Sequence, residues 1–228
     1  MSRNYFEPHH TQVGGVYGEI QRLQQLVDEF HKHPNATTQY QKATEFAQLA
    51  KRRIENELYS EPYYRNFDFL IRLVKCFALL WKSSEPLDSV RLYIIEQGVL
   101  DSIMALLADT SSSYALKYTI AGLLRLLSTY KPFHHWLALG NGTRSIFQVL
   151  SHYYEATSST ARGIAEYRDC ISFLLQVLLS LSESGEFIQS LFHILRFHRI
   201  SDVYNLPMIL KKVIEFHHEH QILRVTLK

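Results

Sequence analysis

Cysteine, glycine and proline are scarce in this sequence: 228 residues hold two Cys, nine Gly and six Pro. An all-β fold needs turn residues roughly every eight to twelve positions, so the shortage of Gly and Pro argues for helices. Cys76 and Cys170 stand far apart, each inside an apolar helical run, which reads as two buried thiols rather than a disulfide framework. Long hydrophobic runs are also missing. None reaches the roughly 18 residues that a membrane span requires. Met1 to His10 is polar with no apolar centre, so no signal peptide is expected. Excess charge is lacking too: 24 Lys and Arg against 22 Asp and Glu leave a formal +2. That balance disfavours a nucleic-acid polycation. Together these absences predict a soluble chain of a reducing compartment, cytoplasmic in the first instance, with cilium, centrosome or nucleus compatible.

Chemistry-bearing motifs are equally sparse. The phosphate-binding Gly-rich consensus, Gly-x-Ser-x-Gly and His-Glu-x-x-His do not occur. Asp68, Asp101 and Asp169 fall at polar positions of helical wheels and read as solvated surface rather than acid–base groups. His217, His218 and His220 sit together near a helix end, yet zinc needs three or four ligands in tetrahedral array. The pairs His31/His33, His134/His135 and His193/His198 offer two ligands each. The turn Leu139 to Ser145 opens a helix and could in principle hold an anion, but it reads as a corner. Asn35-Ala36-Thr37 and Asn141-Gly142-Thr143 match the glycosylation pattern and read as caps and turns. Lys51-Arg52-Arg53 reads as a solvated helix face. No catalytic residue, cofactor site or metal site is assigned.

What is present is helical periodicity. A tail over 1–15 precedes a helix from about Val16 to Lys32, with Ile20, Leu23, Val27 and Phe30 on one face. His33-Pro34 ends it, and Asn35 to Thr38 cap a second helix that lasts to about Tyr59. These two cap a stacked region, 61–220, followed by a tail, 221–228. A helix from Asn66 to Trp81 is apolar over more than half its circumference. The stretch Leu87 to Leu127 then reads as three helices. The second carries Val99, Ile103, Leu106 and Leu107, and the third carries Leu116, Ile120, Leu123, Leu124 and Leu127. A polar loop is expected over Glu155 to Arg162, then a helix from Tyr167 to Leu181. A weaker echo starts at Gly185, and a last helix runs from Pro207 to His220.

The pattern repeats. Setting Gly98 against Gly142 pairs Leu92 with Trp136, Ile95 with Leu139, Ile103 with Phe147 and Leu106 with Leu150, a constant shift of 44 residues. Spacings of roughly 40–47 residues built from two or three helices are those of armadillo and HEAT repeats. The stretch Tyr93-Ile94-Ile95-Glu96-Gln97-Gly98-Val99-Leu100 resembles the corner between the first two helices of an armadillo repeat, and the likeness covers about residues 65–200. The resemblance implies an all-α, armadillo-like right-handed α-solenoid of about nine to ten helices. It also implies a non-catalytic adaptor or scaffold that presents a curved surface to a protein partner, as in ciliary or cytoskeletal assemblies.

Some relatives of that fold bind extended peptides through Trp-x-x-x-Asn. Here Trp81 is followed by Glu85 at that spacing, and Trp136 lies on a first helix, so the import-receptor groove does not carry over. The expected binding ridge comprises the helices 66–81, 115–129 and 167–182. Lys75, Lys82, Lys117, Arg125 and Gln176 are expected to face outward along it. Four apolar residues near the end, Ile222, Leu223, Val225 and Leu227, are expected to fold back or dock on the partner. The alternatives are a HEAT-like nucleic-acid-binding protein or DNA glycosylase, which near-neutral charge disfavours, and a regulatory subunit of a kinase or GTPase.

Overall fold

The apolar stripes and caps dictate where each helix starts and which side it buries. The computed structural model describes residues 12–33, 35–84, 87–139, 142–158 and 161–182. The described residues form nine α-helices and one 3-10 turn, with no strand among them. They are α1 (Gln12–Lys32), α2 (Ala36–Tyr59), the turn Pro62–Tyr64, α3 (Phe67–Ser83), α4 (Asp88–Glu96), α5 (Val99–Ala108), α6 (Tyr114–Leu127), α7 (Lys131–Leu139), α8 (Gly142–Ser158) and α9 (Ala161–Ser182). None is long and apolar enough to cross a membrane.

Three N-caps are built as the side chains allow. Asn35 accepts from the Thr37 amide at 2.9 Å, Asn66 from Phe69 at 3.0 Å and Ser113 from Leu116 at 3.3 Å. Each satisfies one of the amides a helix start leaves without a partner. The stripes are buried much as their spacing predicts. On α5 Val99, Ile103, Leu106 and Leu107 are buried, and on α6 Leu116, Ile120, Leu123, Leu124 and Leu127 are.

The helices lie in two rows. In one, α1 packs on α3, α3 on α6 and α6 on α9; in the other, α2 packs on α5 and α5 on α8. The rows meet where α1 touches α2, α5 touches α6 and α8 touches α9. The short helices α4 and α7 pack against α2 and α8 respectively, and against each other. A helix of the first row therefore has neighbours on several sides, which is why α3 buries Leu70, Leu73, Val74, Phe77, Leu80 and Trp81.

The two corner glycines stand at matching places in the helix order, for different physical reasons. Gly98 caps α5 with φ 73°, a left-handed conformation that a Cβ makes costly. Gly142 opens α8, where an added Cβ would collide with the Leu137 side chain. Space, not backbone conformation, demands glycine there.

Two boundaries differ from expectation. Within the stretch 1–15 expected as a tail, α1 already begins at Gln12 and runs through Gly14 and Gly15, because glycine lowers helix propensity by only about 1 kcal/mol per residue. The polar loop expected over Glu155 to Arg162 is largely helix, since α8 continues to Ser158 and α9 starts at Ala161. Glu, Ala and Arg in that stretch are good helix formers, and polarity alone does not end a helix. The echo at Gly185, the helix 207–220 and the tail 221–228 lie outside the described residues.

Candidate interaction surface

A helix that buries one broad face leaves the remainder to water. On α3 that remainder is Arg72, Lys75, Leu79 and Lys82, all exposed, with Leu79 at 53%. On α6 it includes Tyr118 and Arg125, and Thr129 is exposed just past the helix end. Between these two helices runs an open groove of about 440 Å³. Its floor is apolar and small-featured: Val74 and Ala78 from α3, Gly122, Leu123 and Leu126 from α6. Its rim carries Lys75, Lys82 and Arg125, and among the described residues no Asp or Glu lines it.

Stacked side chains tie the groove's Arg125 to α9. The Arg125 guanidinium lies 5.1 Å above the Phe173 ring, and Phe173 stacks on Tyr118 with centroids 5.4 Å apart. Such a cation–π contact holds Arg125 in place without neutralising it. An added Cβ at Gly122 would meet the Phe173 ring at 3.8 Å, an ordinary contact, so packing against α9 does not require glycine there. Gln176 is half-buried on α9 and donates to the Ser172 hydroxyl at 3.3 Å.

Of the outward residues expected on these helices, Lys75, Lys82 and Arg125 come together at one groove. Lys117 does not join them. It is 4% exposed, in the seam where α6 meets α9. Burial holds its ammonium below the ordinary lysine value, while the nearby Asp109 and Cys170 act in the opposite direction. One step along a helical wheel turns a side chain by about 100°, enough to carry position 117 from the ridge into the seam. Ile222, Leu223, Val225 and Leu227 lie outside the described residues, as do His193, His198 and His217 to His220.

The remaining sequence features resolve into structural roles. Lys51-Arg52-Arg53 is not one solvated face. The Lys51 ammonium lies 3.2 Å from where a Cβ on Gly98 would stand, and Arg52 alone of the three is exposed. Arg53 reaches Glu19 at 2.7 Å and covers the Phe69 ring at 5.2 Å. At the Gly142 corner the Thr143 hydroxyl donates to the Leu137 carbonyl at 2.9 Å, tying α8 to α7. His134 bonds the Ser128 carbonyl at 2.7 Å. Among the described residues no three of His, Cys, Asp and Glu stand together as a metal set. Cys76 and Cys170 are both buried, and burial pushes the Cys76 thiol up to about 11. A thiol so high is a poor nucleophile at neutral pH. Asp68, Asp101 and Asp169 are exposed, as their wheel positions predict.

Two features escape sequence reading. Arg65, after the 3-10 turn, is nearly buried and binds Asp109, the Ser111 hydroxyl at 2.6 Å, and the carbonyls of Leu58 (3.0 Å) and Ser60 (3.2 Å). It locks the α2–α3 connection onto the α5–α6 corner, 44 residues away. Burial alone would raise the Asp109 carboxyl, yet hydrogen bonds from Ser111 and Arg65 outweigh it and hold the group below its usual value. Beside this lock Tyr59, Tyr63 and Tyr64 stand 89%, 90% and 75% exposed, a crowding of bare aromatic rings that nothing in their local sequence announces.

No family model, curated protein or solved structure matches the chain.

Proposed function

We propose that the chain is a non-catalytic protein-binding element, an armadillo-like right-handed α-solenoid whose α3–α6–α9 face takes a segment of a partner protein. The observation that carries the reading is the α3–α6 groove, an apolar floor between cationic rims; solenoids bind through extended concave faces, and the proposal takes the α3–α6–α9 row as that face. The recurrence of a short helix followed by two longer ones, in α4–α6 and again in α7–α9, supports the solenoid part of the proposal. So does the packing of like on like along each row. An apolar base with a polar rim is the anatomy of a protein-binding patch.

The test is site-directed. A photo-crosslinking residue replaces Leu79, beside the groove, and in a second variant replaces Gln48, exposed on α2 in the other row. Capture of a defined partner from Leu79 and not from Gln48 is the expected result. Equal capture from both, or capture from Gln48 alone, overturns the assignment of the face.

A further inference from the structure

The charges around the groove narrow what can occupy it. Among the described residues ten line it, of which three are cationic and none is anionic. Lys75 and Lys82 are seven residues apart on α3, two helical turns, or about 10.5 Å along the axis. Arg125 faces them from α6 and rests over the Phe173 ring, which favours its position at the groove. Around α1 and α2 several cations are paired within the chain: Arg22 and Lys42 meet Glu29 and Glu45, and Arg53 meets Glu19. Here it leaves three around one apolar cleft. Like charges held about a shared pocket repel one another, and an anionic occupant relieves that repulsion.

Resting on the protein-binding reading above, we infer that the occupant is an acidic peptide segment carrying one apolar anchor. Its anchor seats over Ala78 and Gly122, the two smallest residues of the floor. Its carboxylates, about 10 Å apart, meet Lys75 and Lys82, and a third meets Arg125. A peptide suits this groove better than a nucleic acid strand. Single-stranded nucleic acid is gripped by free aromatic faces beneath the bases, whereas Phe173 and Tyr118 stack on each other and Arg125 covers Phe173.

The experiment titrates the full chain with fluorescent 16-residue peptides. The parent peptide has a single Leu or Phe anchor flanked by Glu two helical turns apart. Companions carry Gln or Lys in place of each Glu, and an oligothymidylate of equal charge serves as the nucleic-acid probe. The parent is expected to bind saturably and to weaken as salt rises from 50 to 300 mM. Lys75→Ala, Lys82→Ala and Arg125→Ala combined should weaken it about tenfold, from exposed charge pairs each worth a small factor. Lys75→Arg with Lys82→Arg should retain binding. No binding by the parent, equal binding by the Gln peptide, an unchanged Kd in the triple variant, or tighter binding of the oligothymidylate each overturns the inference. Ala78→Trp, which fills the floor, separates the two claims. Neutral peptides that bind the native chain and are lost in Ala78→Trp leave the groove as a protein-binding site while refuting the acidic occupant. If no peptide depends on Ala78, both readings fall.

Discussion

The α1–α2 pair and the α3–α6 seam carry the same kinds of cation and treat them differently. Between α1 and α2, Arg22 bonds Glu45 at 3.1 Å and Lys42 bonds Glu29 at 2.9 Å, so charge faces charge within the chain. Between α3 and α6, Lys75, Lys82 and Arg125 surround apolar floor with no carboxylate among the described lining residues. The first arrangement joins two helices. The second is open to solvent. The difference teaches that net charge, a mere +2 for the whole chain, says little about where charge is left over.

The sharpest way to test the internal side of that contrast is its most buried ion pair. Arg65→Ala is expected to cost roughly 3 kcal/mol in urea unfolding, the lower end for a buried pair because Asp109 keeps some contact with water. The same variant should lose an acid sensitivity. The folded-state value of Asp109 is depressed, so its contribution is complete above the ordinary carboxylate value near 3.9 and is lost as pH falls through the lower folded value. Without Arg65 that loss on acidification shrinks, which unfolding curves between about pH 2 and 5 would register.

The corner glycines come next. Gly98→Ala should cost about 1–2 kcal/mol for placing a Cβ in left-handed backbone. Gly142→Ala should cost about 1–3 kcal/mol through overpacking against the buried Leu137. Only the second should be relieved by Leu137→Ala, and a double-mutant cycle reads this directly. A rescue of Gly98→Ala by the same change would mean the two corners share one cause.

Lys117 provides a smaller and pH-dependent effect. Its folded-state value lies below the unfolded one, so between the two the unfolded chain binds more protons and stability rises with pH. Thermal unfolding between about pH 8 and 10.5 should show that rise in the native chain and lose it in Lys117→Met, with peptide binding at the groove unchanged. The smallest effect belongs to Lys42→Ala. Its carboxylate partners raise the Lys42 value, led by the hydrogen bond to Glu29, but the pair lies at the surface. The change in melting temperature should be slight and should vanish as salt rises.

How much of this was legible depended on whether one helix sufficed to decide it. The stripes of α5 and α6 predict their own burial because a helical wheel is a local object, and Asn35 announces its cap for the same reason. Gly98 and Gly142 were each legible as the start of a helix, although not their separate causes. Lys117 was misread because its fate turns on the neighbour, α9, that closes the seam. The Lys51-Arg52-Arg53 run was misread likewise, since Glu19 and Phe69 reach Arg53 from other helices. Arg65 gave no signal at all. Its partners lie up to 46 residues away, and a single arginine after Tyr63-Tyr64 looks like any surface cation. The groove was half legible: Lys75, Lys82 and Arg125 are recognisably outward, but the apolar floor between them exists only when α3 and α6 are side by side.

The contrast between the two regions is tested most directly by measuring stability and peptide affinity on the same pair of variants. Arg22→Ala with Lys42→Ala removes cations that the chain pairs internally; Lys75→Ala with Lys82→Ala removes cations that it leaves open. The account predicts that the first variant lowers the urea midpoint slightly and leaves the Kd of the acidic peptide unchanged. It predicts that the second raises that Kd several-fold with an unchanged midpoint. A second variant that unfolds more easily yet binds as before would place Lys75 and Lys82 among the chain's own structural contacts and contradict the account.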